Sequence, residues 1–236
     1  MQEADVLMPA DPSHEPYLSL PEELLLLGLH PEKGGARVSL RYLEYGVAGA
    51  VLTVLDGAGC VERDRSRVRV RTHVPPPALT SGPAADPVAV RMLAGLPGPG
   101  KGRDGSIRTA SFIRRTRREA TGLYLDRLVE RGVLRRESRR VLGLFPVVRH
   151  PAAGPDRSAP LHRRLTVAAK SGFPDPRDRL LAALLSATDL ANRHFPGRAA
   201  RPVRAAMRDL AKQEWTAKAV RGAVDGDKAA SHGGGG

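Results

Sequence analysis

The sequence lacks the features of a membrane-spanning, disulfide-bonded or metal-binding protein. Cys60 is the only cysteine among 236 residues, which excludes an internal disulfide and a zinc site built from cysteines. The longest apolar run covers residues 47–55 and is far short of the ~20 residues that a spanning helix needs. The seven histidines are scattered, with no pair at helical ligand spacing. We therefore expect neither a metal nor a cofactor.

Signals for secretion and for catalysis are also missing. Residues 1–17 are acidic and contain no basic start followed by an apolar stretch, so a cytoplasmic protein is expected. The glycine-rich segments over residues 95–101 and 100–105 imitate phosphate-binding loops, but Gly102 stands where a P-loop has Ser or Thr. No Gly-x-Ser-x-Gly elbow occurs. The sequence therefore predicts a protein that is not an enzyme.

Aromatic residues make up only 4% of the chain, so Leu, Val and Ala must fill its core. Such packing favours an all-α, mainly helical fold with a central helical bundle in one domain over residues 18–222. A disordered lead over 1–17 and a flexible tail over 223–236 flank this domain. Hydrophobic periodicity and capping signals predict helices over residues 19–29, 38–55, 88–96, 111–131, 158–169, 175–190 and 202–220, with hairpins around 64–66 and within 133–148. The capping residues are Ser19 with Glu22, Ser158 and Asp175. Small residues at 46 and 48–50 give the second helix a face that another helix can approach closely.

Positive charge is the most informative feature that is present. The net charge is +13, from 38 basic against 25 acidic residues, which favours an anionic partner. Residues 108–140 alone contain eleven arginines against four acidic residues, a surplus of +7. Neighbouring guanidinium groups one helical turn apart repel unless an anion lies between them, and their paired donors fit phosphate oxygens. The alternative is an ordinary solvated helix face.

Two binding functions are consistent with this basic segment. Residues 128–134 (LVERGVL) are followed by a basic hairpin. This succession is typical of the recognition helix and wing of a winged-helix DNA-binding protein. That alternative also needs two short helices just upstream, where the sequence shows mainly a Pro/Gly linker. Binding to an anionic membrane is the other function.

Four ordered motifs resemble the Golgi phosphoprotein 3 family. They are LSLPEELLLLGL at 18–29 with EKG at 32–34, GVAGAVL at 46–52, LVERGVL at 128–134 and DPRDRLLA at 175–182. The resemblance covers roughly residues 17–220 and implies a helical bundle with a projecting β-hairpin. It also implies binding of phosphatidylinositol 4-phosphate at the cytosolic face of a membrane, where eukaryotic members retain glycosyltransferases. The composition of a GC-rich genome indicates a bacterial relative.

The resemblance places the family's headgroup pocket at four positions, which here are Ser39, Ala48, Arg118 and Thr121. Other arginines stand close to these positions in sequence. The predicted headgroup-binding residues are therefore Arg114, Arg115, Arg117 and Arg118, with Arg37 and Arg41.

The family's hairpin is implied to insert into the membrane and to support oligomers. Apolar side chains with basic flanks suit such an element. The candidates here are Leu142, Leu144, Phe145, Val147 and Val148, although an ordinary hairpin packed on the bundle explains them too. We predict a peripheral membrane protein whose partners are anionic lipids, phosphoinositide or otherwise, and membrane enzymes.

Overall fold

Helices dominate the fold in the computed structural model, which describes residues 17–97, 105–141 and 145–232. Ten helices and five strands follow one another in this part of the chain. They are α1 (Leu20–Gly28), α2 (Leu40–Gly57), β1 (Val61–Asp64), β2 (Arg67–Val70), α3 (Pro77–Thr80), α4 (Pro87–Ala94), β3 (Ser106–Arg108), α5 (Thr109–Glu130), β4 (Glu137–Val141), β5 (Phe145–Arg149), α6 (Ser158–Lys170), α7 (Pro176–Ala187), α8 (Ala191–His194), α9 (Arg201–Gln213) and α10 (Trp215–His232). The predicted mainly helical class is confirmed.

The first helix begins where its capping signal predicted and lies at the centre of the bundle. The Glu22 carboxylate accepts a hydrogen bond from the Ser19 backbone N–H at 2.7 Å, and Pro21 occupies the first turn. Every residue of α1 is buried. A helix that is apolar nearly all round must be covered on all sides, and α2, α5, α6 and α7 pack around it.

Small residues on α2 allow its neighbours to approach closely. A Cβ added at Gly49 would lie 2.3 Å from Val220 Cγ2 of α10, and one added at Gly46 would lie 2.6 Å from Thr188 Cγ2. Both distances are shorter than real Cβ contacts, so a larger residue at either position would force the neighbouring side chain to shift. The predicted small-residue face is therefore a helix–helix contact surface. The long helix α5 also packs along α2.

Two small antiparallel sheets lie outside the bundle. The hairpin β1–β2 turns at Arg65, whose φ of +52° is left-handed, and the unpredicted strand β3 adds to it through the pair Val68 and Ile107. A strand of three residues directly before a helix is too short to give a periodic signal in the sequence. The second sheet is the predicted hairpin β4–β5, in which the two strands pair only with each other.

Three sequence expectations need correction. The predicted final helix over 202–220 is two helices, because extended backbone at Glu214 separates α9 from α10. The second of these continues to His232, and its Ala223 and Val224 are buried, so the helical domain extends beyond residue 222. The helix α6 is capped by the Asp156 carboxylate, which accepts the Ser158 backbone N–H at 2.8 Å, and not by Ser158 itself.

Several expectations fall on residues outside the described ranges. They are the disordered lead over 1–16, most of the glycine-rich segments over 95–105, the hairpin tip over 142–144 and the tail end over 233–236. Within the described residues, no helix is both long enough and apolar enough to cross a membrane.

Candidate functional site

Four arginines gather where the start of α2, the first half of α5 and the last part of α10 meet. Arg41 lies on α2, and Arg114, Arg117 and Arg118 lie on α5. We call these four residues the basic face. The buried ring of Tyr45 lies among them, since the Arg117 guanidinium stacks 5.3 Å above its centroid. Four of the six arginines that the sequence analysis named therefore lie close together.

Asp227 of α10 joins the basic face from the opposite side. Its Oδ2 lies 3.2 Å from Arg41 Nη1, and its Oδ1 accepts a hydrogen bond from the Tyr45 hydroxyl at 3.2 Å. The pKa of Tyr45 is raised, first by burial and then by the negative charge of Asp227, while Arg41 and Arg114 lower it. Asp227 therefore anchors Arg41, and it places one negative charge within the basic face.

Arg117 is anchored rather than free, which corrects the expectation of four unpaired guanidinium groups on α5. It forms an ion pair with Glu44 of α2, and both side chains are largely buried. Burial lowers the pKa of Arg117, and the positive charges of Arg118 and Arg41 lower it further. A carboxylate from α2 thus relieves the repulsion that the sequence spacing predicted.

Arg114 and Arg118 remain as free donors one turn apart. Both are exposed, and neither has a carboxylate partner among the described residues. Four arginines against Glu44 and Asp227 leave the basic face with a surplus of two positive charges. This surplus consists of Arg114 and Arg118, because the two carboxylates balance Arg41 and Arg117. Two such unpaired guanidinium groups can bind the oxygens of a phosphate or carboxylate ligand.

Arg115 and Arg37 lie elsewhere. Arg115 is exposed, but it points about 100° around the helix from Arg114 and lines a separate cavity beside Phe112 and Glu119. The Arg37 Nε donates to the Leu29 carbonyl oxygen at 2.9 Å, so this side chain caps the end of α1. Neither arginine joins the basic face.

Four further arginines of the basic segment are paired with carboxylates. Arg127 and Arg131 both pair with Glu22, whose side chain is fully buried, at 3.2 and 2.8 Å. Arg136 pairs with Asp126, and Arg135 pairs with Glu137 at 2.9 Å. The surplus of +7 counted along the sequence therefore overstates the free charge, since some compensating carboxylates come from distant helices.

The winged-helix alternative finds no support in this arrangement. Leu128 and Leu134, which bound its recognition segment, are buried in the core. The strand before α5 pairs with β2 and not with the basic hairpin. A recognition helix must expose its reading face to DNA, whereas this part of α5 packs inside the bundle.

Most of the positions implied for the family's headgroup pocket hold no charged donor in this chain. Ala48 is completely buried within α2, and Ser39 is exposed at the start of the same helix. Thr121 is buried, and its hydroxyl has no hydrogen-bond partner among the described residues. Of the four positions, only Arg118 supplies a charged donor. Any anion bound here must therefore be held by arginines from neighbouring turns.

The predicted insertion hairpin is described only in part. Val148 is 52% exposed and Val147 is half-buried, while Phe145 begins β5 and Leu142 and Leu144 lie outside the described residues. The base of the hairpin is fixed, because the His150 N–H donates to the Gly34 carbonyl oxygen at 3.0 Å.

The loop between α1 and α2 connects the hairpin base to the basic face. It runs from Gly34, which touches the hairpin base, to Ser39, which precedes α2. Five residues of chain span at most ~17 Å. The hairpin base and the start of α2 are therefore close enough to contact one surface.

Sequence reasoning missed Tyr45, Glu44 and Asp227. The two α2 residues follow Arg41 within one turn, a spacing that places them on neighbouring positions of the same helix. Asp227 gave no such signal, since its segment read as a tail. Only the path of α10 across α2 brings it to the site.

Comparison with known protein families gives a match over most of the chain. A sequence model of the family described as Golgi phosphoprotein 3 (GPP34) matches residues 20–226, which is most of the chain. A search of curated proteins found no match. No group of three metal-ligating side chains occurs within the described part of the chain.

Proposed function

Because the chain belongs to the Golgi phosphoprotein 3 family, we propose that it is a peripheral membrane protein that binds anionic lipid headgroups through the basic face. One observation carries the proposal. Arg114 and Arg118 are exposed, one turn apart and without carboxylate partners among the described residues, and they supply the positive surplus of the basic face. Lipid phosphates are the ligands that such paired donors fit.

The strength of this attachment follows from the number of free charges. Each Lys or Arg near an anionic leaflet contributes ~1 kcal/mol, so Arg114 and Arg118 together contribute ~2 kcal/mol. Arg41 adds less, because Asp227 already shares its charge. The basic face alone therefore gives a weak, reversible and salt-sensitive attachment. An apolar contact from the β4–β5 hairpin, including the exposed Val148, strengthens it.

Phosphatidylinositol 4-phosphate is the headgroup that the family suggests, and we propose it as the preferred ligand. Its phosphomonoester carries more negative charge than the phosphodiester of an ordinary acidic lipid, so it gains more from two guanidinium groups. Since Ala48 supplies no donor, we expect a modest preference instead of strict selectivity. The proposed location is the cytosolic face of a membrane, where the protein acts as an adaptor for membrane enzymes.

Vesicle sedimentation tests the proposal. The full chain is mixed with three kinds of phosphatidylcholine vesicle. The first contains no acidic lipid, the second contains phosphatidylglycerol and the third contains phosphatidylinositol 4-phosphate. The variant Arg114→Gln/Arg118→Gln should bind acidic vesicles ~30-fold more weakly, which corresponds to the loss of ~2 kcal/mol. The control Arg163→Gln/Arg179→Gln removes two exposed charges on α6 and α7, away from the basic face, and should bind nearly as the parent protein does.

Two results would contradict the proposal. In the first, both double variants lose vesicle binding equally, which would indicate a non-specific effect of net charge. In the second, the parent protein does not bind acidic vesicles but binds duplex DNA at the same ionic strength, which would favour a nucleic-acid-binding function.

A further inference from the structure

A basic pocket lies next to the basic face and has not been assigned a role. It opens between the β1–β2 turn, the start of α5 and the first half of α10, with a volume of about 380 Å³. Its cationic residues are Arg63, Arg65, Arg114 and Lys218, and its aromatic residue is Trp215. Among the described residues, no acidic side chain lines it. The volume falls within the range of small-molecule sites.

The positive charge of this pocket is not compensated locally. Arg65, Arg114 and Lys218 are exposed and have no carboxylate partner among the described residues. The Arg63 Nε donates only to the Arg65 carbonyl oxygen, at 2.9 Å. Four cations around one cavity repel one another, and an anion bound among them would offset this repulsion.

Two acidic residues lie near the pocket, but each carboxylate binds a partner other than the four cations of the pocket. Asp64 pairs with Arg69 at 3.3 Å on the outer side of the β1–β2 hairpin. Asp56 accepts the Trp215 indole N–H at 2.9 Å, which fixes the ring at the edge of the pocket. These carboxylates therefore hold residues at the edge of the pocket and do not neutralise its four cations.

The frame of the pocket is held by backbone contacts. The Thr109 N–H and hydroxyl both donate to the Ser66 carbonyl oxygen, at 2.9 and 3.1 Å, which ties the β1–β2 turn to the start of α5. Arg65 keeps its left-handed backbone at the tip of this turn. The floor is formed by small residues, namely Ala110, Ala219, Gly222 and Ala223, which leave room for a ligand.

We propose that this pocket binds a compact phosphate-bearing anion, such as a phosphomonoester or a pyrophosphate group. The ligand chemistry follows from unpaired guanidinium and ammonium donors around a cavity of one headgroup's size. Such a group occurs on a lipid headgroup or on a soluble phosphate ester. The pocket shares only Arg114 with the basic face, so a variant that leaves Arg114 in place tests the pocket separately from the lipid binding proposed above.

Trp215 provides a direct readout, since it is the only tryptophan in the chain and lines the pocket. Sodium pyrophosphate is titrated into the full chain at constant ionic strength, with sodium chloride as the reference salt. A saturable change in Trp215 fluorescence is expected with pyrophosphate and not with chloride.

The test variant is Arg65→Asn/Lys218→Gln, which leaves Arg114 in place. Asparagine tolerates the left-handed backbone at position 65, so the turn should persist. Binding should weaken at least ~10-fold, as expected for the loss of charge-assisted contacts. The control Arg163→Gln/Lys170→Gln removes one Arg and one Lys from α6, where both are exposed, and should bind pyrophosphate as the parent protein does.

A second arm identifies the source of the phosphate. Vesicles of phosphatidylcholine with phosphatidic acid carry a phosphomonoester headgroup. If the pocket variant sediments with them less than the control does, the ligand is a headgroup. If sedimentation is equal while the pyrophosphate response is lost, the ligand is a soluble phosphate ester. The proposal is overturned if pyrophosphate gives no saturable response, or if the pocket variant responds as the control does.

Discussion

Replacing Asp227 with asparagine should tighten membrane binding, although it removes an ion pair. Asp227 holds Arg41 at 3.2 Å and accepts a hydrogen bond from the Tyr45 hydroxyl, and its side chain is 19% exposed. The variant Asp227→Asn removes the negative charge that offsets Arg41. The surplus of the basic face rises from two positive charges to three.

The size of the effect follows from the added charge. One additional positive charge near an anionic leaflet is worth ~1 kcal/mol, which corresponds to a ~5-fold gain in affinity for acidic vesicles. The cost to folding should be small. The Arg41 side chain is 55% exposed, so the pair contributes about 0–1 kcal/mol, and the asparagine oxygen can still accept from Tyr45. Membrane affinity and fold stability should therefore change in opposite directions.

Vesicle sedimentation and thermal unfolding measure the two quantities. The matched control is Asp209→Asn, which removes one exposed carboxylate that pairs with Lys212 on α9, at 2.8 Å. Both variants carry the same net charge. If Asp209→Asn tightens binding as much as Asp227→Asn does, or if Asp227→Asn has no effect, the basic face is not the membrane contact.

Three further predictions concern stability and are measured by unfolding in denaturant. Arg127→Met removes a cation from the buried Glu22 carboxylate and should cost about 3 kcal/mol; a loss below ~1 kcal/mol would mean that the carboxylate is satisfied without it. Gly49→Ala puts a Cβ 2.3 Å from a valine methyl of α10 and should lower the free energy of unfolding by about 1–2 kcal/mol net. The control Gly122→Ala has open space around it on α5 and should raise the free energy of unfolding by about 0.5–1 kcal/mol. Equal effects of the two variants would refute the close approach of α2 and α10. Burial lowers the pKa of His194 to about 4, so below pH 6.5 the unfolded state takes up a proton that the native state does not, and stability should fall by about 2 kcal/mol between pH 7 and pH 5. The variant His194→Gln should lose most of that decline, and an unchanged pH profile would contradict the assignment.

The sequence predicts the helices well where local signals and burial agree. The capping pair of Ser19 and Glu22, the glycines of α2 and the Asp175 cap all appear in the structure where they were expected. These features depend on residues within a few positions of each other. Short-range geometry therefore determines where most helices begin and which face they bury.

The free charge of the site was harder to predict, because it depends on long-range pairing. Arg117 is paired with Glu44 across 73 positions of sequence, and Arg131 with Glu22 across 109. Nothing near these arginines in the sequence indicates their partners. A count of charges along one helix can therefore identify a basic segment, but only the packing of α1, α2 and α10 against α5 shows which cations stay free.

Labelling with a polarity-sensitive fluorophore at single cysteines tests most directly whether the basic face meets the bilayer. The native Cys60 is buried and burial raises the pKa of its thiol, so background labelling should be low. One label is placed by Ser39→Cys at the start of α2, and a control label by Thr166→Cys on the exposed side of α6. We predict that acidic vesicles shift the emission of the label at position 39 and leave the label at position 166 unchanged. A shift at position 166 without one at position 39 would contradict the account.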